Sequence, residues 1–349
     1  MIFYSCFIVL VEFLLGGYKF DGRRLSERIS ILAIIIISLV TFFRFDIGFD
    51  YASYFKYVSD DKIPSMELLF LEPSARIFIE FSRIIDFPPA LIMIYGAISI
   101  VFTSSAIIKN SENIPLSVIV FLGLFYLSTI CFIRQGAALG IILFSYPYLK
   151  NNQFWKFFIC CAFAVLLHYS AILVLIVYPL YTCFSYRKLG LILLISLPTI
   201  LIALKSLPIL FPWLPYVSYF TTSENLTGGN MAKYVFLLLN LTGLLLSWKT
   251  KDSEIIKFFE IAMIGSFFPF SLGGHIGGRI GWYFMIFICI ALPNLLKRYP
   301  LWYSRLCNAA MVACFLGTIY VSSLSPGKKQ YTPFQTIFEV DLKHPVFKE

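Results

Sequence analysis

The chain offers chemistry in four places. "RFDIGFDYASYF" sets Arg44 ahead of two carboxylates, Asp46 and Asp50, with Gly48 between the acids and Tyr51 and Tyr54 beyond. "IRQGAALG" opens an apolar run on Arg134 and Gln135. "LLHYSAIL" places His168 among apolar residues, with Tyr169 and Ser170 beside it. "LGGHIGGRIGWYF" sets His275 and Arg279 among glycines, and Tyr283 follows. A guanidinium presents a fixed fork of donors that matches phosphate oxygens. A carboxylate or imidazole within reach of a hydroxyl can take its proton, and a histidine is the better matched to neutral pH. Arg44, Arg134 and Arg279 are therefore candidate anion holders, and His168 and Asp50 are candidate bases.

Each of these has a plainer reading. An arginine near a membrane end snorkels to headgroups and does nothing else. A lone histidine between apolar neighbours is more often a hydrogen-bonded core residue than a catalyst. A glycine-rich loop is often a tight turn, although its amides can also approach an anion closely. Against these stand the company that Arg44 keeps, which snorkelling does not need, and the cost of placing charge within a span.

The elements that position these residues follow from composition. The chain has 349 residues, is 59% hydrophobic and 13% charged, and its mean hydropathy is +0.82. Soluble domains are about 45–50% apolar and about 25% charged. The fold class is an all-α polytopic membrane protein, and the 18% aromatic content suits residues that collect at membrane interfaces. The net charge of +9 reflects a positive-inside bias and not nucleic-acid binding. The first run carries Glu12 and lacks a basic leading region, so no cleavable signal peptide is expected. The eight cysteines have no metal-ligand spacing and read as small core hydrophobes. There is no Walker loop, CxxC pair or HExxH, and neither a metal nor a cofactor is expected.

Apolar runs at about 2–16, 29–43, 88–108, 114–132, 134–149, 157–167, 169–184, 189–204, 234–248, 258–272, 279–296 and 302–322 predict about 12 transmembrane helices, with 10–12 plausible. They form a single membrane domain, 1–322, followed by an extracytoplasmic tail, 323–349. The stretch 114–149 is too long for one helix, so a turn is expected near Arg134. With the N-terminus outside, the inside loops hold 15 of the 28 Lys and Arg against six acids, and the outside holds 13 bases with 12 acids. Reading 157–184 as one crossing degrades that balance, which favours a split there. This topology puts His168, Arg44, Arg134 and Arg279 on the outer side. Two long outer loops result, 44–87 and 205–233. Within the first, "SMELLFLEPSARIFIEFSRIID" reads as an amphipathic or interfacial helix interrupted at Pro73.

Four blocks in order resemble the EpsG/Wzy-type polysaccharide polymerases. They are "RFDIGFDYASYF", "IRQGAALGIILFSYPYL", "LLHYSAILVLIVYPL" and "RIGWYFMIFICIALPNLL", and "YTPFQTIF" resembles a closing segment of that family. Phe49 beside Asp50 and the glycine-rich loop before Arg279 depart from the pattern. The resemblance implies glycosyl transfer on the outer face of the bacterial cytoplasmic membrane. A glycan held on polyprenyl diphosphate would move onto a second lipid-linked repeat unit, releasing the diphosphate lipid. The implied roles are catalytic for His168, Asp50 and Arg279. Arg44, Arg134, Gln135, Tyr51, Tyr54 and Tyr283 would bind substrate, the tyrosines against sugar rings. Transfer would be metal-independent. The implied partners are the lipid-linked oligosaccharide, the bilayer, and a chain-length regulator and flippase of the same pathway. Rival readings are a flippase or exporter of lipid-linked oligosaccharide and a membrane acyltransferase modifying surface glycans. An O-antigen ligase shares the chemistry and differs in acceptor.

Overall fold

A computed structural model describes residues 1–15, 23–60, 71–183, 185, 230–324 and 330–347. The chain is helical with almost no sheet. Helix α1 (Ile2–Leu15) and α2 (Arg23–Phe43) lead to a two-residue strand, β1 (Arg44–Phe45). Then come α3 (Tyr51–Ser59), α4 (Pro73–Ile84), α5 (Pro89–Asn110) and α6 (Ile114–Cys131), the last widened to a π-type turn over Leu122–Tyr126. After them come α7 (Ile133–Phe144), α8 (Tyr146–Lys150), α9 (Phe154–Leu167) and α10 (Tyr169–Thr182). Helices α11 (Asn230–Thr250), α12 (Ser253–Leu272), α13 (Gly274–Met285), α14 (Ile288–Leu296) and α15 (Leu301–Leu324) precede a second short strand, β2 (Gln335–Thr336).

Among the described residues, α2, α5, α6 and α15 are long and apolar enough to cross a membrane. The pair α13–α14, bent by 56°, makes a fifth crossing if counted as one span. Within the described residues the apolar runs predicted from sequence coincide with helices, but α1, α7, α9 and α10 are shorter than a span. The expected number of about 12 crossings is thus carried by length and apolarity only to four or five. The run 189–204 and the loop 205–233 up to residue 229 lie outside the described residues, as does 61–70 of the first long loop.

Both expected breaks fall where the polar residues stand. The break in 114–149 is Phe132, with φ −102° and ψ 70°, so that Arg134 and Gln135 open α7. The break in 157–184 is His168 itself, in extended backbone between α9 and α10. Pro73 opens α4, where the sequence reading expected a helix interrupted at that residue; the part of the segment ahead of residue 71 lies outside the described residues.

Close helix approach shapes the framework around these breaks. Helices α12 and α13 cross where a Cβ on Gly265 would lie 2.7 Å from the Gly281 carbonyl oxygen. Only glycine lets two backbones meet so closely. The crossing brings α13, and with it Arg279 and Tyr283, against α12.

The described part of the C-terminal tail is an ordered strap. β2 pairs antiparallel with β1, Arg44 opposite Thr336 and Phe45 opposite Gln335. The Ile337 amide donates to the Phe43 carbonyl at 2.9 Å, and the Gly48 amide donates to the Gln330 carbonyl at 2.8 Å. Phe334 stacks on Phe3 at 3.7 Å between centroids, and Phe347 packs on Phe45 and Phe55. The strap therefore holds the segment that delivers α3.

Candidate functional site

The site is an ionic chain whose centre is Glu72, a residue the sequence reading did not single out. Glu72 precedes Pro73, and proline confines the residue before it to extended backbone; here φ is −58° and ψ 151°. A carboxylate in this position commonly caps its helix, yet the Glu72 side chain makes no cap hydrogen bond. It turns instead toward two partners on distant helices. His168 Nδ1 lies 2.7 Å from Oε1, and Arg134 Nη1 donates to Oε2. The Tyr169 amide also donates to Oε1, at 3.4 Å.

Glu72 is 3% exposed. Burial by itself pushes its carboxyl up, but the His168 hydrogen bond and the Arg134 charge outweigh burial and hold it down at about 2. Its helix is fixed by neighbours: Ser74 hydrogen-bonds Tyr95 at 2.9 Å, and Arg83 donates to the Tyr57 carbonyl at 2.7 Å.

From Arg134 the chain continues outward. Arg134 Nε donates to the Tyr54 hydroxyl at 3.1 Å, which joins α7 to α3. Gln135, next in the same turn, is bound to Arg279 twice. Its amide nitrogen donates to the Arg279 carbonyl at 2.6 Å, and Arg279 Nε donates to its side-chain oxygen at 2.8 Å. The guanidinium of Arg279 lies over the Phe132 ring at 4.5 Å, and the His275 ring meets the same Phe132 ring edge-on at 5.5 Å. Arg279 thus uses Nε internally, while its terminal Nη groups have no hydrogen-bond partner among the described residues. Tyr283 hydrogen-bonds Ser170 at 2.9 Å, tying α13 to the start of α10. It lies within electrostatic reach of Arg279 and Glu72.

The structure therefore gathers His168, Arg134, Gln135, Arg279, Tyr54 and Tyr283, and adds Glu72 and Ser170. Asp50 flanks them, half-buried just ahead of α3 and within electrostatic reach of Tyr54. Tyr51, the first residue of α3, is buried, and its hydroxyl has no hydrogen-bond partner among the described residues.

Arg44 stands apart, and here the structure corrects the expectation that it grips a diphosphate. It is 1% exposed. Its guanidinium donates to the Thr41 carbonyl, to the Ile130 carbonyl at 3.2 Å and to the Ile47 carbonyl at 3.4 Å. It satisfies carbonyls at the ends of α2 and α6, which a helix C-terminus leaves without intrahelical donors. Gly48 completes this lock: its φ is +107°, and an added Cβ would stand 2.8 Å from the Ile130 oxygen. Arg44 holds the loop that aims α3, so it acts on the site through Tyr54.

An imidazole, a buried carboxylate and two guanidinium groups thus meet in one cluster of a helical membrane protein, residue types able to accept a proton and to hold an anion. The chain belongs to the EpsG family, whose model matches residues 28–336, the family of Wzy-type polysaccharide polymerases. No curated protein and no solved structure matches it significantly.

Proposed function

We propose that this protein joins polyprenyl-diphosphate-linked oligosaccharide repeat units into a surface polysaccharide, by glycosyl transfer on the outer face of the bacterial cytoplasmic membrane. One observation carries the reading: the Arg134–Glu72–His168 chain is tied through Gln135 to Arg279, whose charge reaches His168, so a base candidate and a cation share one cluster. The acceptor hydroxyl gives its proton to a base, and its oxygen bonds to the anomeric carbon of the donor. The bond from that carbon to the diphosphate breaks, and the electron pair leaves with the diphosphate. Arg279 meets the charge that develops there, in a setting where such an interaction is strong. Arg134 is held by Glu72 and Tyr54, so its role is to shape the cluster and balance its charge. Tyr54 and Tyr283 are buried, with their hydroxyls bound to Arg134 and Ser170, so they brace the cluster and do not stack on sugars.

Membership of the EpsG family supports this reading. The test is purified full-length protein in proteoliposomes with a lipid-linked repeat unit, its products resolved by size. A ladder of multiples is the expected result. Unchanged glycan length would overturn the proposal, and redistribution of unchanged substrate across the vesicle would identify a flippase.

A further inference from the structure

Of the two base candidates, His168 and Asp50, His168 is the one bonded directly to Glu72. His168 occupies extended backbone at a helix break, a position that gives an imidazole no orientation of its own. Its ring is oriented from one side only, at Nδ1, by Glu72 Oε1 at 2.7 Å. Both oxygens of that carboxylate are already accepting, from Arg134 and from the Tyr169 amide. The Glu72 carboxyl stays ionised down to about pH 2, so it has no proton to give. A carboxylate without a proton can only accept, and the proton between the two groups must sit on Nδ1. In the neutral ring Nε2 then carries the lone pair. Nε2 has no hydrogen-bond partner among the described residues, and it is not among the buried unpartnered atoms. The side chain keeps 15% of its surface.

We infer that Glu72 is a positioning residue for the transfer: it holds His168 as the Nδ1–H tautomer and so presents Nε2 to the acceptor hydroxyl. This rests on the glycosyl-transfer reading above. In the step, the hydroxyl proton passes to Nε2 as the hydroxyl oxygen bonds to the anomeric carbon and the diphosphate departs. The imidazolium that forms is stabilised by the Glu72 carboxylate, and it returns the proton to water between turnovers. Arg134 has a matching purpose. It neutralises part of the Glu72 charge, so that the carboxylate orients the ring without holding it protonated.

A bland alternative makes Glu72 a plain anchor between helices. An anchor is already complete with Arg134 on one oxygen and the Tyr169 amide on the other. The second oxygen is turned to an imidazole, and that placement is what an anchor leaves unexplained.

Two measurements on the full-length protein in lipid nanodiscs decide the matter. The first is solid-state NMR of ¹⁵N-histidine-labelled protein near pH 7.5, with the His168 signals identified by their loss in His168→Ala. A protonated Nδ1 and an unprotonated Nε2 are expected. A dominant Nε2–H tautomer would overturn the inference, whatever the reaction is. The second compares turnover in wild type, Glu72→Gln, Glu72→Asp and Asp50→Asn. Glu72→Gln should lower kcat by about 10²- to 10⁴-fold, the range for general-base catalysis, with KM changed by less than about threefold. Its acid limb should move to lower pH, because the imidazolium has lost its carboxylate. Glu72→Asp should recover part of kcat, and Asp50→Asn should leave the limb in place. Glu72→Gln that folds, keeps kcat and keeps its pH limb would overturn the inference while leaving the polymerase reading intact. No product in wild type itself would defeat that reading, and the tautomer would still be decided by the first measurement.

Discussion

Glu72 Oε1 and His168 Nδ1 stand 2.7 Å apart across 96 residues of sequence. The contact joins a residue fixed by its proline neighbour to the break between two apolar helices, α9 and α10. Arg134 at the head of α7 takes the other oxygen. Three separate segments therefore depend on one buried carboxylate for their relative placement.

That carboxylate should make stability depend on pH. Its folded value, about 2, lies below the value of about 4.3 for an unfolded glutamate. The stabilisation is therefore fully present above the unfolded value and is lost as pH falls through about 4 toward 2. Its size is on the order of 3 kcal/mol. Thermal unfolding of wild type and Glu72→Gln in nanodiscs at pH 7, 5 and 3 measures this. The variant should be less stable at pH 7, and the gap should narrow by pH 3.

Arg44 and Arg279 should fail in different ways. Arg44→Lys keeps the charge but cannot reach three carbonyls at once, and it leaves buried acceptors unpaired. A loss of about 2–3 kcal/mol is expected, seen as a lower unfolding midpoint and a lower yield of inserted protein. Arg279→Lys should unfold like wild type and lose most of its activity, because a lysine does not reproduce a bidentate fork.

Gln135 should tune the charge that Arg279 presents. Gln135→Glu keeps an acceptor for Arg279 Nε but adds a negative charge next to it. The variant should fold, bind an anionic lipid substrate about tenfold less tightly, and show the loss in KM. Gln135→Leu, which breaks both bonds to Arg279, should lower kcat as well.

The strap should matter for the site although it contributes no residue to it. Truncation after Leu324 removes the partner of β1, the acceptor for the Gly48 amide and the ring stacked on Phe3. Gly48→Ala attacks the same loop from within, at a cost of about 1–3 kcal/mol for a non-glycine residue held in that backbone region. Both should lower the unfolding midpoint and activity together, with KM and kcat affected alike.

Much of this was legible in the sequence. Arg134, His168 and Arg279 are charged or ionisable groups in apolar runs, and such groups are conspicuous because hydrocarbon tolerates them poorly. The breaks at Phe132 and His168 followed from span length and charge balance. Glu72 was hidden by its surroundings. The segment 44–87 carries eight acids, so one more carboxylate there reads as the solvated face of an amphipathic helix. The available signal was its place in "FLEPSA", a charge between apolar residues and immediately before the proline that starts a helix. Arg44 misled for a different reason. Sequence shows that an arginine follows an apolar helix, but not whether its donors face outward or turn back onto the carbonyls that end the helix.

The most direct test counts molecules in the transfer itself. Wild-type protein in proteoliposomes receives a lipid-linked repeat unit labelled in both sugar and lipid diphosphate, and new glycosidic linkages and released polyprenyl diphosphate are quantified together. Polymerisation by block transfer requires one diphosphate lipid released for each linkage formed, and His168→Ala should abolish both. Linkages without stoichiometric release, or equal products from His168→Ala, would contradict it.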